Sequence, residues 1–198
     1  MYALNLTQSV IKLIRYIFII MNINIYKDYQ MASTFLQEDD ISSIKFNTTF
    51  THNIRNVAFG NLPQENCIDI LKDGRPFSHF IEPWLAQNYP VLKHIKGCKD
   101  HDLVDNVDES IKYEQKTFTS KGCSFTPSNM KGQGRKFDKD VFEEKTKKLL
   151  FIIVSNISFP EIKIKFIRGI DLLVDYPTGK IPFRDFDKFF GPTITPQE

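Results

Sequence analysis

The sequence lacks the features of several classes of protein. It has only three cysteines, Cys67, Cys98 and Cys123, at irregular spacings, so no disulfide framework is predicted and a reducing, intracellular setting is favoured. The apolar stretch from Leu13 to Met21 is interrupted by Arg15 and is well short of the ~20 residues that a membrane span needs. The chain has no internal repeat and no low-complexity segment. We therefore expect a globular protein that does not associate with membranes.

Length and composition indicate one domain. The chain has 198 residues, of which 41% are hydrophobic and 13% aromatic. A chain of this length can form one domain with a hydrophobic core and is too short for two domains of ordinary size. We interpret residues 1–30 as an N-terminal extension, either an upstream part of the reading frame or a dispensable arm, because Met31 reads like a natural start. The predicted single domain is then 31–198.

Charge is distributed unevenly, although the net charge is only +2. The segment from Lys112 to Lys148 has ten Lys or Arg residues and five Asp or Glu residues. A basic segment beside acidic residues suits a protein that binds phosphates with one part and a metal cation with another. A solvated, charged helix and loop would have the same composition.

Periodicity and capping residues predict alternating helices and strands. The predicted elements are a helix at 76–89 that is kinked or split at Pro83, a strand at 91–96, a helix at 139–149 capped by Asp138, a buried central strand at 150–154 and a half-buried strand at 161–167. No element is assigned from 35 to 66. The cluster of Phe186, Phe189 and Phe190 is expected to fill the core, with a subunit interface as the alternative.

Residues 101–117 are the most informative segment, because they predict a β-hairpin with a turn at 107–110. Side chains two apart on a strand point the same way, so Glu114 and Lys116 share one face. The turn brings Asp102 back toward them. Two carboxylates and one ammonium group that converge at a strand edge can hold a hard divalent cation and activate a water molecule.

Asp105 is the alternative to Asp102 as the first carboxylate. We prefer Asp102, because residues 103–104 then continue a strand into the turn, and the pair Asp105-Asn106 is typical of turns.

At Asp102, Glu114 and Lys116 the chain resembles the PD-(D/E)xK nuclease superfamily, and within it the small type II restriction endonucleases. His101 stands where the family name has proline, a position at which relatives often differ. The resemblance covers about residues 75–170. It implies an α/β (α+β) fold with a restriction-endonuclease-like αβββαβ core, that is, a central mixed β-sheet flanked by helices. The implied activity is site-specific cleavage of double-stranded DNA.

The resemblance also implies a cofactor, further site residues and partners. Mg²⁺ would be held by Asp102, Glu114 and the backbone carbonyl of Gln115. Lys116 would orient or help to deprotonate the attacking water, and Glu82 on the preceding helix stands where many family members have a further acid. A homodimer is expected, since palindromic sites are usually read by two-fold dimers. A cognate DNA methyltransferase would act separately on the same site.

The segment 123–136 resembles the loop of glycine and arginine residues that follows the catalytic strand in some small restriction enzymes. Glycines let the backbone approach DNA, Lys and Arg bind phosphates, and Asn, Gln and Arg read base edges. The candidate DNA-binding residues are Lys121, Ser128, Asn129, Lys131, Gln133, Arg135 and Lys136. A flexible surface loop has a similar composition.

Three other interpretations stay open. His94, Cys98, His101 and Cys123 suggest a zinc site, although the second well-spaced pair of ligands is missing. In a DNA-binding or interaction module without catalytic activity, the acidic hairpin would be only a solvated edge of the sheet. A structure-selective repair or recombination nuclease would share the fold and differ in its substrate.

Overall fold

The structure is a computed structural model that describes residues 44–97, 100–127, 130, 134 and 136–191, all within one compact unit. Its elements, in chain order, are β1 (Thr49–Asn53), α1 (Gln64–Lys72), α2 (Gly74–Asn88), β2 (Leu92–His94), β3 (Leu103–Asp105), β4 (Lys112–Phe118), β5 (Cys123–Ser124), α3 (Lys139–Lys147), β6 (Leu150–Ser155), β7 (Glu161–Arg168), α4 (Gly169–Asp175), β8 (Lys180–Ile181), a 3₁₀ helix (Phe183–Asp185) and α5 (Phe186–Phe190). The extension predicted at residues 1–30 lies outside the described residues.

Six strands form a mixed sheet in the order β1-β7-β6-β4-β3-β2. Strands β4 and β6 run parallel, and every other pair of neighbours in this sheet is antiparallel. Strands β5 and β8 form a separate antiparallel pair. The predicted mixed α/β class is therefore confirmed. No helix in the described part of the chain has both the length and the apolar character needed to cross a membrane.

Alternate side chains of β6 enter two separate apolar clusters. Ile152 and Val154 pack with buried residues of α1 and α2, whereas Phe151 and Ile153 pack with buried residues of α3, α4 and α5. Helices therefore cover both faces of the sheet, as a strand that is apolar on both sides requires. The prediction of a buried central strand is confirmed, since residues 151–155 are all buried.

Helix α2 begins two residues before its predicted start and continues through Pro83. It begins early because the side chain of Asp73 caps it by accepting a hydrogen bond from the backbone N–H of Arg75, at 2.9 Å. Of the two alternatives predicted at Pro83, a kink or a split, the split is wrong, because the helix is continuous from Gly74 to Asn88. Proline removes one N–H donor from a helix, but Pro83 and His79, whose carbonyl loses its partner, are both exposed, so water can satisfy that carbonyl.

Several elements had no assignment from the sequence, among them β1, α1, α4 and the short helix α5. Strand β1 forms an edge of the sheet by antiparallel pairing with β7. The phenylalanines near the end of the described chain form a short helix, in which Phe189 and Phe190 are buried and Phe186 packs against the same cluster. Their expected role in the core is confirmed.

Gly169 fixes the approach of α4 to the end of α3. A Cβ atom at this position would lie 1.8 Å from the backbone oxygen of Thr146 and 3.0 Å from that of Leu149. The N–H of Gly169 also donates to the Leu149 carbonyl, at 2.9 Å. The last turn of α3 is thus held in direct backbone contact with the start of α4.

We expect Gly169→Ala to lower the free energy of unfolding by about 1–3 kcal/mol or more, because the backbone must shift to admit the methyl group. Urea unfolding followed by circular dichroism measures the change. Ile170→Ala is the matched control, since Ile170 is half-exposed on the same helix and its truncation should cost about 0.5 kcal/mol at most. Equal stability of Gly169→Ala and the wild type would contradict this close contact.

Candidate active site

The predicted hairpin is confirmed, with β3 and β4 as its strands. Leu103 lies opposite Tyr113, and the backbone N–H of Asp102 donates to the Tyr113 carbonyl at 3.0 Å. Asp102 therefore lies beside β4 just where β3 begins. Its carboxylate continues the pairing, because Oδ2 accepts a hydrogen bond from the backbone N–H of Gln115 at 2.8 Å.

The geometry distinguishes Asp102 from Asp105. Asp105 is only 8% exposed, and its Oδ1 accepts hydrogen bonds from the backbone N–H groups of Val107 and Asp108 at 2.8 and 3.0 Å. Asp105 is thus engaged in forming the turn, as aspartates in this position commonly are. Asp102, which is partly exposed, is the carboxylate beside the middle of β4.

Side chains of β4 alternate as predicted. Tyr113 and Gln115 are each 3% exposed and lie on one face, where Tyr113 packs in the same apolar cluster as α2. Glu114 and Lys116 lie together on the other side, where Lys116 Nζ is 2.5 Å from Glu114 Oε1. Both of these side chains are about one-fifth exposed, so the ion pair is accessible yet partly shielded from water.

Glu82 reaches the same region from α2. Its Oε2 lies 3.3 Å from His94 Nε2 at the end of β2, and both side chains are 19% exposed. Burial raises the pKa of Glu82, and the negative charge of Asp102 raises it further, whereas His94 and His79 partly offset these effects. Glu82 and Asp102 are therefore close enough to repel each other.

The negative charge of Asp102 also acts on Glu114. Burial raises the pKa of Glu114, Lys116 partly lowers it, Asp102 raises it, and Lys145 on α3 again lowers it. The three carboxylates thus form one electrostatic group around Asp102. A cation bound among them would offset their mutual repulsion.

The donor set fits Mg²⁺ in its chemistry. Among the described residues, no three His, Cys, Asp or Glu side chains lie close enough to hold a metal ion by themselves. Mg²⁺ does not require that, because it commonly takes one or two carboxylates together with waters and phosphate oxygens. The Gln115 carbonyl adds a further oxygen. It points to the same side of β4 as the Gln115 N–H that bonds Asp102, since both groups of one strand residue point the same way.

Most of the predicted DNA-binding residues lie outside the described residues, namely Ser128, Asn129, Lys131, Gln133 and Arg135. The two that are described, Lys121 and Lys136, are exposed, as phosphate contacts require. Cys98 of the zinc alternative also lies outside the described residues. Cys123 is buried in the apolar cluster of α3, which disfavours that alternative.

Sequence reasoning missed two residues of this group, His94 as a partner of Glu82 and Lys145 as a neighbour of Glu114. The signal for Lys145 was present in the helix, because it follows the buried Phe142 by three residues and so lies near the buried face. The pairing of His94 with Glu82 had no local signal.

No family model, curated protein or solved structure matches this chain.

We expect Asp102→Asn to lower the pKa of both Glu82 and Glu114, because Asp102 raises both while asparagine keeps an acceptor for the Gln115 N–H. NMR titration of the side-chain carboxyl carbons measures the two values. Asp105→Asn is the control, since Asp105 faces the turn, and it should leave the pKa of Glu114 unchanged. A Glu114 titration that is the same in Asp102→Asn and the wild type would contradict the clustering of these acids.

Proposed function

We propose that this protein is a Mg²⁺-dependent endonuclease of the PD-(D/E)xK type that cleaves double-stranded DNA at a short specific sequence. One observation carries the proposal, the convergence of Asp102, Glu114 and Lys116 on a single hairpin. The Lys116 ammonium lies against Glu114, and Asp102 affects the pKa of the same glutamate. Two carboxylates and an ammonium group in such proximity are what metal-assisted hydrolysis of a phosphodiester requires.

The order of elements supports the proposal. Helix α2, strands β2, β3 and β4, helix α3 and strand β6 follow one another along the main sheet. This is the αβββαβ order that the resemblance to these nucleases implies, with the short strand β5 standing outside the main sheet. The candidate acids lie on α2, at the start of β3 and on β4, and this distribution supports the proposal.

Each residue of the site would have a separate role in hydrolysis. Asp102, Glu114 and the Gln115 carbonyl would hold Mg²⁺, which when bound supplies positive charge to the phosphate oxygens and the attacking water. Lys116 would orient that water and offset the negative charge that develops on the phosphate. Glu82 would supply the further acid that the resemblance implies on the preceding helix, close enough to Asp102 for the charge of Asp102 to raise its pKa.

The overall reaction is hydrolysis of a phosphodiester bond by one water molecule. The water oxygen forms a bond to phosphorus, and the bond from phosphorus to one ester oxygen breaks. The water gives up one proton, and the departing oxygen gains one. Lys121 and Lys136, with the basic residues between them, would bind neighbouring phosphates. A homodimer and a separately acting DNA methyltransferase belong to this proposal as its expected partners.

We expect the purified protein to cut unmethylated linear plasmid DNA into discrete fragments with Mg²⁺ and not with EDTA. Glu114→Gln should lower the cleavage rate about a hundredfold or more, the scale expected for the loss of one positioned charged group. Glu144→Gln is the matched control, because Glu144 is an exposed acid on α3 that pairs only with Lys148 among the described residues.

Absence of cleavage on several unmethylated DNAs of varied sequence, by protein shown to be folded, would favour a DNA-binding module over a nuclease. Preferential cutting of junctions or flaps would favour a structure-selective nuclease.

We expect Asp102→Asn to lose cleavage while it binds duplex DNA at least as tightly as the wild type, because a repelling carboxylate is removed from the phosphate path. Fluorescence anisotropy with labelled duplex in EDTA measures the affinity. Full cleavage activity in this variant would show that Asp102 takes no part in catalysis and that the acidic hairpin is only a solvated edge of the sheet.

A further inference from the structure

Lys145 differs from the two other lysines near the end of α3. Its side chain is 33% exposed, whereas those of Lys147 and Lys148 are 51% and 71% exposed. Lys147 and Lys148 form ion pairs within their own helix, with Glu143 and Glu144. Lys145 alone among these three reaches across to the hairpin side of the molecule.

One ion pair and one electrostatic effect define the position of the Lys145 ammonium. Its Nζ lies 3.3 Å from Oδ1 of Asp100, two residues before Asp102. Its positive charge also lowers the pKa of Glu114. Glu114 shares its side of β4 with Phe118, which packs in the same apolar cluster as Phe142 of α3. The ammonium group therefore lies between α3 and the acidic group of the hairpin.

The ion pair with Asp100 is too weak to explain why the Lys145 ammonium is held beside the acidic group of the hairpin. Asp100 is 76% exposed, and an ion pair with such a partner contributes about 0–1 kcal/mol. Glu114 already has a closer cation in Lys116. Lys145 is thus a second cation beside Glu114, and its own ion-pair partner is exposed and held weakly enough to be exchanged.

We infer that Lys145 is a phosphate-binding residue of the nuclease site, which exchanges Asp100 for a backbone phosphate of the DNA beside the scissile bond. The inference rests on the proposed nuclease function and adds to it a substrate contact from α3. In the free protein the Lys145 ammonium pairs with the Asp100 carboxylate. In the complex with DNA it pairs with a backbone phosphate instead.

This exchange predicts opposite effects for the two members of the pair. Lys145→Gln removes a phosphate contact, so it should weaken binding and reduce the slope of log affinity against log salt by about one. Asp100→Asn removes a competitor and a negative charge, so affinity should stay the same or increase. A pair that only fastened α3 to the hairpin would respond alike to both substitutions.

The experiment compares the wild type, Lys145→Gln, Asp100→Asn and Lys147→Gln. Binding of a labelled duplex is measured without divalent metal over a series of KCl concentrations, and cleavage of linear plasmid is measured with Mg²⁺. Lys147→Gln is the matched control, because Lys147 has an ion pair of similar length on the same helix with Glu143, and a residue two positions on from Lys145 lies about 200° around the helix from it. It should leave the salt slope and the cleavage rate unchanged.

Lys145→Arg keeps the charge, and it should retain the salt slope that Lys145→Gln loses. Thermal unfolding of each variant shows whether its fold is intact. The inference is overturned if Lys145→Gln matches Lys147→Gln, or if Lys145→Gln and Asp100→Asn lose binding equally. In both cases a wild type that cleaves DNA leaves the proposed function standing. A wild type that neither binds nor cleaves DNA overturns both.

Discussion

Strands β4 and β6 pair in parallel from Tyr113 with Leu150 to Phe118 with Ser155. Two parallel neighbours cannot be joined by a tight turn, so the chain between them must cross over one face of the sheet. Here the crossover contains α3, which therefore covers the face of β4 that bears Glu114. This single pairing explains why a helix far along the chain takes part in the electrostatics of a hairpin.

The fold holds together acids that would separate in solution. Glu82 and Glu114 lie on different elements, and both are acted on by the charge of Asp102. Their burial is unfavourable by itself, and the nearby groups His94 and Lys116 only partly compensate for it. Clusters of this kind are more common at functional sites than in purely structural parts of a protein.

The parts of the site that could be predicted are those with local information. The hairpin follows from alternation and from an aspartate that forms its turn, and α3 is capped by Asp138, whose side chain accepts from the N–H of Val141 at 3.1 Å. Contacts between distant segments could not be predicted, because a single sequence contains no signal for the pairing of β1 with β7 or of His94 with Glu82. The continuity of α2 through Pro83 was left open by the sequence for another reason, since the solvation of the freed carbonyl depends on which side of the helix is exposed.

The shortness of β2 limits how copies of this protein can associate. This strand forms one border of the six-stranded sheet and offers only three residues, the middle one being an exposed lysine that is paired with Glu109. So short a border, with a charged side chain at its centre, gives a neighbouring strand few backbone groups to bond. Growth of the sheet from one molecule into the next is therefore unfavourable at this border, so that copies of this protein would have to associate through another surface.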